Sequence, residues 1–158
     1  DRKAATEKLF AAAYHPYRDG SIERVIRSGS TPIDTSKLSL EEVKQLAQEG
    51  KYAESLVILE QLPPEIQKKA VALFFKANSL LALGRMAEAA ALFEQVALNR
   101  QSAYAGHASW YAALCALKKG DLPKAKKWLQ AVATDSNLSA RERAEANQLL
   151  AKIRSLPE

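Results

Sequence analysis

The residues best suited to covalent or acid–base chemistry in this sequence are a single cysteine, Cys115, and two histidines, His15 and His107. His107 and Cys115 lie on one predicted helix, and their separation in sequence puts them on the order of 12 Å apart along its axis. Because a nucleophile and its base must come within hydrogen-bonding distance, these two residues do not form a catalytic pair. Cys115 lies in an Ala-Leu-Cys-Ala-Leu run, so we expect it to be a small buried residue.

Other sequence signatures of chemistry are also missing. The chain has no phosphate-binding loop, no paired-carboxylate motif, no His-Glu-x-x-His and no Gly-x-Ser-x-Gly. One cysteine and two histidines leave little material for a zinc site. We therefore expect a protein that is not an enzyme and that uses neither a metal nor a cofactor.

A local cluster of lysines surrounds Trp128 in a chain of net charge +5 and pI near 9.3. Its members are Lys118, Lys119, Lys124, Lys126 and Lys127. Such clusters contact phosphates, but a solvated helix face with favourable charges at a helix C-terminus explains this one as well. Trp128 is followed by the core-type residue Leu129, which favours packing over base stacking. Binding to nucleic acid or to a membrane surface is therefore the weaker alternative.

Length and composition favour one helical domain. The 158 residues are 47% hydrophobic and 26% charged, which is enough to bury a sizeable core. These values exclude a disordered tail and a disulfide scaffold. No apolar run approaches the roughly 18 residues of a membrane span.

Three segments of the sequence are alike and recur at nearly constant spacing. They begin at Gly50, Gly84 and Gly120, each of which ends one apolar-periodic stretch and precedes another. This arrangement predicts helices that close on glycine and restart within a few residues. The period, near 34 residues, is typical of a helical solenoid.

Four further positions of each segment follow the same register. Small residues lie five positions after the glycine, large apolar residues lie nine and twelve positions after it, and a fourth set lies seven positions before it. These sets are Ser55, Ala89 and Ala125; Leu59, Phe93 and Leu129; Leu62, Val96 and Val132; and Val43, Ala77 and Ala113. Small residues let paired helices approach closely, and large ones fill the space between repeats.

With Gly-x-[Tyr/Leu/Met]-x-[Glu/Lys]-[Ala/Ser] at this period, the chain resembles the tetratricopeptide repeat (TPR) family. The resemblance implies an all-α, right-handed superhelical solenoid of three helical hairpins, with a C-terminal capping helix and an N-terminal helix. It divides the chain into an N-terminal helix and linker, residues 1–36, and a TPR domain, residues 37–158. Within that domain we place the repeats at about 37–69, 70–105 and 106–137, and the capping helix at 138–155.

Start and stop signals predict the individual helices. We expect helices over 2–14, 65–83, 86–99 and 102–119, with others that open at Ser39, after Gly50, at Asp121 and at Ser139. Ser39 and Ser139 each begin a capping box. Residues 15–37 are predicted to be a connector with a short apolar patch made of Ile22, Val25 and Ile26.

The N-terminal segment carries a second, narrower resemblance. Leu9-Phe10 followed by Tyr14-His15-Pro16-Tyr17 is similar to the segment before the repeats in membrane-anchored TPR proteins of the Bacteroidetes cell envelope. That similarity implies a periplasmic or membrane-anchored location with an anchor upstream of Asp1. A cytoplasmic location is the alternative.

In the TPR family the first helix of each pair lines a concave groove, and the resemblance assigns groove positions about thirteen, ten, nine and six residues before each glycine. In the first repeat these are Lys37, Leu40, Glu41 and Lys44. In the later two they include Phe74, Phe75, Asn78, His107, Trp110, Tyr111 and Leu114. Aromatic anchors of this kind are typical of a binding surface.

Two functions follow from the resemblance and stay open at this level. The first is a non-catalytic scaffold that binds a peptide or protein segment, of unknown identity, in the aromatic groove. The second is a structural or self-assembly module, homo-oligomers included, whose groove is filled by its own or a neighbour's N-terminal helix. Leu9, Phe10 and Tyr14 form an apolar stripe on that helix, and we expect them to be buried on the first repeat or in a groove.

Overall fold

A computed structural model describes residues 1–17 and 39–156, and every regular element in those ranges is an α-helix. The helices are α1 (Arg2–Ala13), α2 (Leu40–Gln48), α3 (Tyr52–Gln61), α4 (Pro64–Gln67), α5 (Ala70–Ala82), α6 (Met86–Leu98), α7 (Ala105–Lys119), α8 (Leu122–Ala133) and α9 (Ala140–Arg154). The all-α prediction is confirmed over these ranges. None of the described helices has both the length and the apolar character that a bilayer span requires. The predicted patch at Ile22, Val25 and Ile26 and the position Lys37 lie outside the described residues.

Three of the helices end in the same way, on a glycine in the left-handed conformation. The φ angle is +81° at Gly50, +84° at Gly84 and +89° at Gly120. In each turn the glycine N–H donates to the carbonyl three residues earlier, and the next N–H donates to the carbonyl five residues earlier. This pair of bonds is the Schellman motif, and the predicted helix ends at these glycines are confirmed. A side chain at any of the three would be strained.

The residues that recur at the same positions of the three repeated segments are also buried. All twelve residues of the four repeated sets are at most 4% exposed. At the first of the small positions the two helices of a pair are tied directly, because the Ser55 hydroxyl on α3 donates to the Val43 carbonyl on α2 at 2.8 Å. The helical-repeat character inferred from spacing is therefore present in the packing of three segments.

Two predicted helices differ from the structure at their starts. The predicted helix over 65–83 is instead the single turn α4 followed by α5, because Lys69 is extended (φ −66°, ψ 145°) and interrupts the hydrogen-bond ladder. The Gln67 side chain donates to the carbonyls of Leu62, at 2.7 Å, and Glu60, at 3.1 Å, which folds the short turn back onto the end of α3. The helix predicted from residue 102 begins at Ala105. Before this start, in place of the expected first helical turn, the Ser102 hydroxyl accepts a hydrogen bond from the Tyr104 N–H.

The predicted helix starts at Ser39, Asp121 and Ser139 are confirmed as N-caps. Each side-chain oxygen accepts a backbone N–H three residues on, at 3.4, 3.2 and 3.1 Å respectively. These bonds satisfy donors that the first helical turn leaves without an intrahelical partner. Local sequence therefore determines where α2, α8 and α9 begin.

The chain forms two compact units, one of Asp1–His15 with Ala90–Glu158 and the other of Pro16–Ala89. In the first unit α7 packs against α1 and α8, and α8 packs against α9. In the second unit α2, α3 and α5 pack against one another. The predicted boundary between residues 36 and 37 lies outside the described residues.

Candidate functional site

The groove residues predicted for the second and third repeats lie on two helices that belong to different units, α5 and α7. Most of them are buried: Phe74, Phe75, Asn78, Tyr111 and Leu114 are each at most 5% exposed. His107 and Trp110 keep intermediate exposure.

On α5 the predicted site residues form an aromatic cluster. The rings of Phe74 and Phe75 meet edge to face at 5.6 Å between centroids. The Tyr17 ring lies 4.9 Å from that of Phe74 and 5.8 Å from that of Phe75, both in edge contact. The Lys44 ammonium, at another predicted groove position, lies 5.8 Å from the Phe75 centroid. Edge contacts between rings and a cation above a ring are both favourable geometries, so these rings have stabilising partners within the chain.

Asn78, the polar residue predicted for the α5 part of the groove, is buried and turned toward its own helix. Its side-chain amide donates to the Phe74 carbonyl at 2.9 Å. A buried amide needs such a partner, because an unpaired one loses its hydrogen bonds to water without replacement. The contact uses one of the two donors of Asn78 to stabilise α5 locally.

On α7 the central predicted residue is Tyr111, which is held from three directions. Its ring stacks on Phe93 with centroids 5.2 Å apart and meets the edge of Tyr14 at 6.3 Å. Its hydroxyl donates a 2.6 Å hydrogen bond to the His15 carbonyl. A buried tyrosine hydroxyl requires a partner, and here the N-terminal segment supplies it.

The helix α1 lies against α7 and is fixed by one buried ring. Phe10 is 8% exposed, stacks on Tyr14 at 5.3 Å, and lies under the Lys118 ammonium at 4.8 Å. The predicted burial of Phe10 is confirmed, while Leu9 and Tyr14 are only half-buried. The surface that receives α1 is the first helix of the third predicted repeat.

The remaining predicted residues of α7 have structural contacts. The His107 Nδ1 lies 3.5 Å from a carboxylate oxygen of Glu142 in the first turn of α9. Leu114 is fully buried in the core. Within residues 1–17 and 39–156, no three His, Cys, Asp or Glu side chains are grouped so as to hold a metal ion.

Cys115 is 1% exposed, as expected of a small core residue. Its burial raises the pKa of the thiol to about 12, and the nearby Glu94 carboxylate acts in the same direction. Lys118 opposes the shift with a smaller effect. At neutral pH the side chain is therefore a buried, protonated thiol, which is a poor nucleophile.

The lysine cluster near Trp128 is largely engaged with the rest of its unit. Lys124 forms an ion pair with Glu94 at 3.1 Å, and Lys127 lies 5.1 Å from the Trp128 centroid. Trp128 itself is buried, so the prediction that it packs in the core is confirmed. Lys118 lies over Phe10, as described above.

Sequence reasoning missed a cleft between α1, α7 and α9. Its volume is about 260 Å³, and it is lined by Leu9, Ala12, Ala13, His15, Trp110, Arg141, Glu145, Gln148, Leu149 and Lys152. The sequence predicts α9 only as a C-terminal capping helix. Nothing in its spacing signals that α1 lies beside that helix, because the juxtaposition arises from long-range packing.

Sequence reasoning also missed an ion pair that joins two inter-helix turns. The Arg100 guanidinium, after α6, contacts the Asp135 carboxylate, after α8, at 3.2 Å. Asp135 also accepts from the Asn137 N–H at 2.9 Å, which satisfies its buried side chain. Gly106 passes close by, and a Cβ there would lie 2.7 Å from an Asp135 carboxylate oxygen. The glycine is therefore required for space.

Comparisons of the chain with protein-family models, with curated proteins and with solved structures gave no significant match.

Proposed function

We propose that this chain is a non-catalytic helical-repeat module of the TPR type, and that its aromatic first-helix residues hold its own N-terminal segment. In this proposal the module acts as a structural and assembly element. The observation that carries the proposal is the 2.6 Å hydrogen bond from Tyr111 to the His15 carbonyl, together with the packing of α1 on α7. A foreign peptide that formed a hydrogen bond with the Tyr111 hydroxyl would first have to displace the His15 carbonyl.

The TPR type is supported by features that recur three times. The same left-handed glycine turn closes three helices, and the same four register positions are buried beside each turn. Repeats of this kind stabilise one another through nearest-neighbour packing. The proposal that the module is non-catalytic is supported by Cys115, whose thiol is buried and protonated at neutral pH.

Point variants on α1 of the full chain test the proposal. Phe10→Ser removes the buried ring, whereas Lys8→Ser changes an exposed residue of the same helix and is the matched control. We expect Phe10→Ser to raise the fluorescence of an apolar dye and to speed hydrogen exchange of the α1 amides. The control should leave both unchanged, because Lys8 is exposed whereas Phe10 is buried.

The result that would contradict the proposal is equally specific. If α1 amides exchange in the unmodified chain as fast as in an unstructured peptide, the helix is only a loose tether. The aromatic residues would then be available to a foreign segment, and the chain would be an open peptide-binding scaffold. The partial exposure of Trp110 is the observation that favours this second function.

Cell-envelope location is a separate proposal that rests on the N-terminal resemblance alone. The residues that carry this resemblance include Phe10, Tyr14 and Tyr17, and all three also have packing roles inside the chain. Their presence is thus explained by folding as well as by location. Fractionation of cells that express the natural protein tests the location directly.

A further inference from the structure

The cleft between α1, α7 and α9 is lined by apolar and polar side chains in similar measure, and the apolar ones come from all three helices. Leu9 and Ala13 of α1, Leu149 of α9 and the Trp110 ring of α7 line it. Leu149 is buried and Trp110 is partly exposed. The small side chains of Ala12 and Ala13 leave space that larger residues at those positions would occupy.

The size of the cleft matches one large side chain. An apolar cavity of about 150 Å³ is enough to bind a benzene ring. The volume here, about 260 Å³, therefore accepts an aromatic side chain with part of its backbone. Trp110 offers such a side chain a ring to stack on, and aromatic pairs gain free energy beyond the area that they bury.

The rim of the cleft carries an uncompensated positive charge. Arg141 is paired with Glu145 at 3.4 Å, and Glu145 is the one acidic residue among the lining residues. Lys152, also on the rim and exposed, forms no ion pair with any described residue. A ligand that carries a carboxylate beside its apolar group would therefore find a cation that no described residue pairs with, next to the apolar side chains of Leu149 and Trp110.

Trp110 differs in exposure from the residue at the same register position of the preceding repeat. Phe74 lies ten residues before its glycine, as Trp110 does, and it is completely buried. The ring of Trp110 is left partly open and lines the cleft. Tryptophan is enriched among the residues that contribute most binding energy at interfaces.

We propose that this cleft binds an acidic peptide segment of a partner protein, with one aromatic side chain against Trp110 and a neighbouring carboxylate at Lys152. The inference rests on the proposed function in one respect, since the seated helix α1 forms one wall of the cleft. It goes beyond that function, because the site and its ligand chemistry lie outside the contacts that hold α1.

Three short peptides test the proposal on the full chain: acetyl-Glu-Phe-Glu-amide, acetyl-Lys-Phe-Lys-amide and acetyl-Glu-Ala-Glu-amide. The chain has two tryptophans, so the indole N–H signals in an NMR spectrum report on Trp110 at the cleft and on buried Trp128 as an internal reference. We expect the Glu-Phe-Glu peptide to shift the Trp110 signal saturably and to leave Trp128 unchanged. The other two peptides should bind at least fivefold more weakly.

Two variants locate the binding. Lys152→Glu should lower the affinity for the Glu-Phe-Glu peptide at least fivefold. This variant should then bind the Lys-Phe-Lys peptide more tightly than the Glu-Phe-Glu peptide. Lys119→Glu makes the same change of net charge at an exposed residue that does not line the cleft, so it should alter affinity less than twofold. Ala12→Phe places a ring at the exposed edge of the cleft and should abolish the Trp110 shift.

The inference is overturned if no peptide shifts Trp110 at concentrations up to about 5 mM, where a Kd near 1 mM is readily measured. Equal binding of the acidic and basic peptides, or equal loss in Lys152→Glu and Lys119→Glu, overturns it too. Hydrogen exchange of α1 in the same samples separates the two proposals. Protected α1 amides without peptide binding defeat this inference alone, whereas unprotected α1 amides defeat the proposed function and remove the wall of the cleft.

Discussion

The aromatic pairs of α5 and α7 occupy the same register and have different surroundings. Phe74 and Phe75 lie ten and nine residues before Gly84, as Trp110 and Tyr111 do before Gly120. Both rings of the first pair are buried, with Tyr17 in edge contact with each. In the second pair only Tyr111 is buried, and Trp110 lines a cleft.

The repeat position of a residue determines on which part of the helix its side chain begins, whereas the elements packed above it determine how deeply that side chain is buried. Tyr17 covers both rings of α5, whereas α1 covers Tyr111 and leaves room beside Trp110. The α5 pair therefore acts as core, and the α7 pair divides into one core residue and one surface anchor. Three predictions test this difference between the two aromatic pairs.

The largest effect is expected when the aromatic side chains of Phe74 and Trp110 are each replaced by alanine. Phe74→Ala should lower the free energy of unfolding by about 3–5 kcal/mol, because a fully buried ring is lost and a cavity remains. Trp110→Ala should cost about 1–2 kcal/mol, since its ring is already partly hydrated. Urea denaturation of both variants measures the difference. Equal losses would mean that the two positions are equally buried in solution.

A smaller effect is expected at the small positions that bring paired helices together. Ala89→Leu and Ala125→Leu should each destabilise by about 1–3 kcal/mol through overpacking, because both alanines are completely buried. Ala144→Leu, on the exposed part of α9, is the control and should be nearly neutral. Thermal melting compares the three. Unchanged melting in both core variants would argue against the shared register of the repeats.

The smallest effect concerns the hydroxyl that distinguishes Tyr111 from its counterpart Phe75. Tyr111→Phe removes the bond to the His15 carbonyl and should cost about 0.5–1.5 kcal/mol. Tyr52→Phe is the matched control, because the Tyr52 hydroxyl has no hydrogen-bond partner among the described residues. Hydrogen exchange should show faster opening of α1 only in the first variant. Identical exchange in both variants would remove Tyr111 as the attachment point.

The parts of the fold that sequence could predict are those set by local chemistry. Glycines in left-handed turns, serine and aspartate caps, and the buried register of twelve residues all follow from rules that act within one helix or one hairpin. The break at Lys69 could not be read, because it depends on Gln67 reaching back to α3. The spacing of apolar residues does not predict such a side-chain contact.

The candidate site was less predictable than the fold. Sequence could nominate Trp110 and Tyr111 as aromatic residues on a first helix, but their burial depends on α1, which is about a hundred residues away in the chain. It predicted burial of Leu9, Phe10 and Tyr14, of which Phe10 alone is buried and the other two are half-buried. The cleft at Lys152 arises where three distant helices meet, so no local spacing predicts it.

The bond between Tyr111 and residue 15 also has an evolutionary consequence. Its acceptor is a main-chain carbonyl, and every amino acid at position 15 supplies the same oxygen. The following Pro16 restricts the preceding residue to extended backbone, which helps to fix the direction of that carbonyl. Selection for a seated N-terminus therefore acts on the tyrosine and the proline and leaves the side chain of residue 15 almost unconstrained. Descendants of this sequence are expected to exchange His15 sooner than Pro16 or Tyr111.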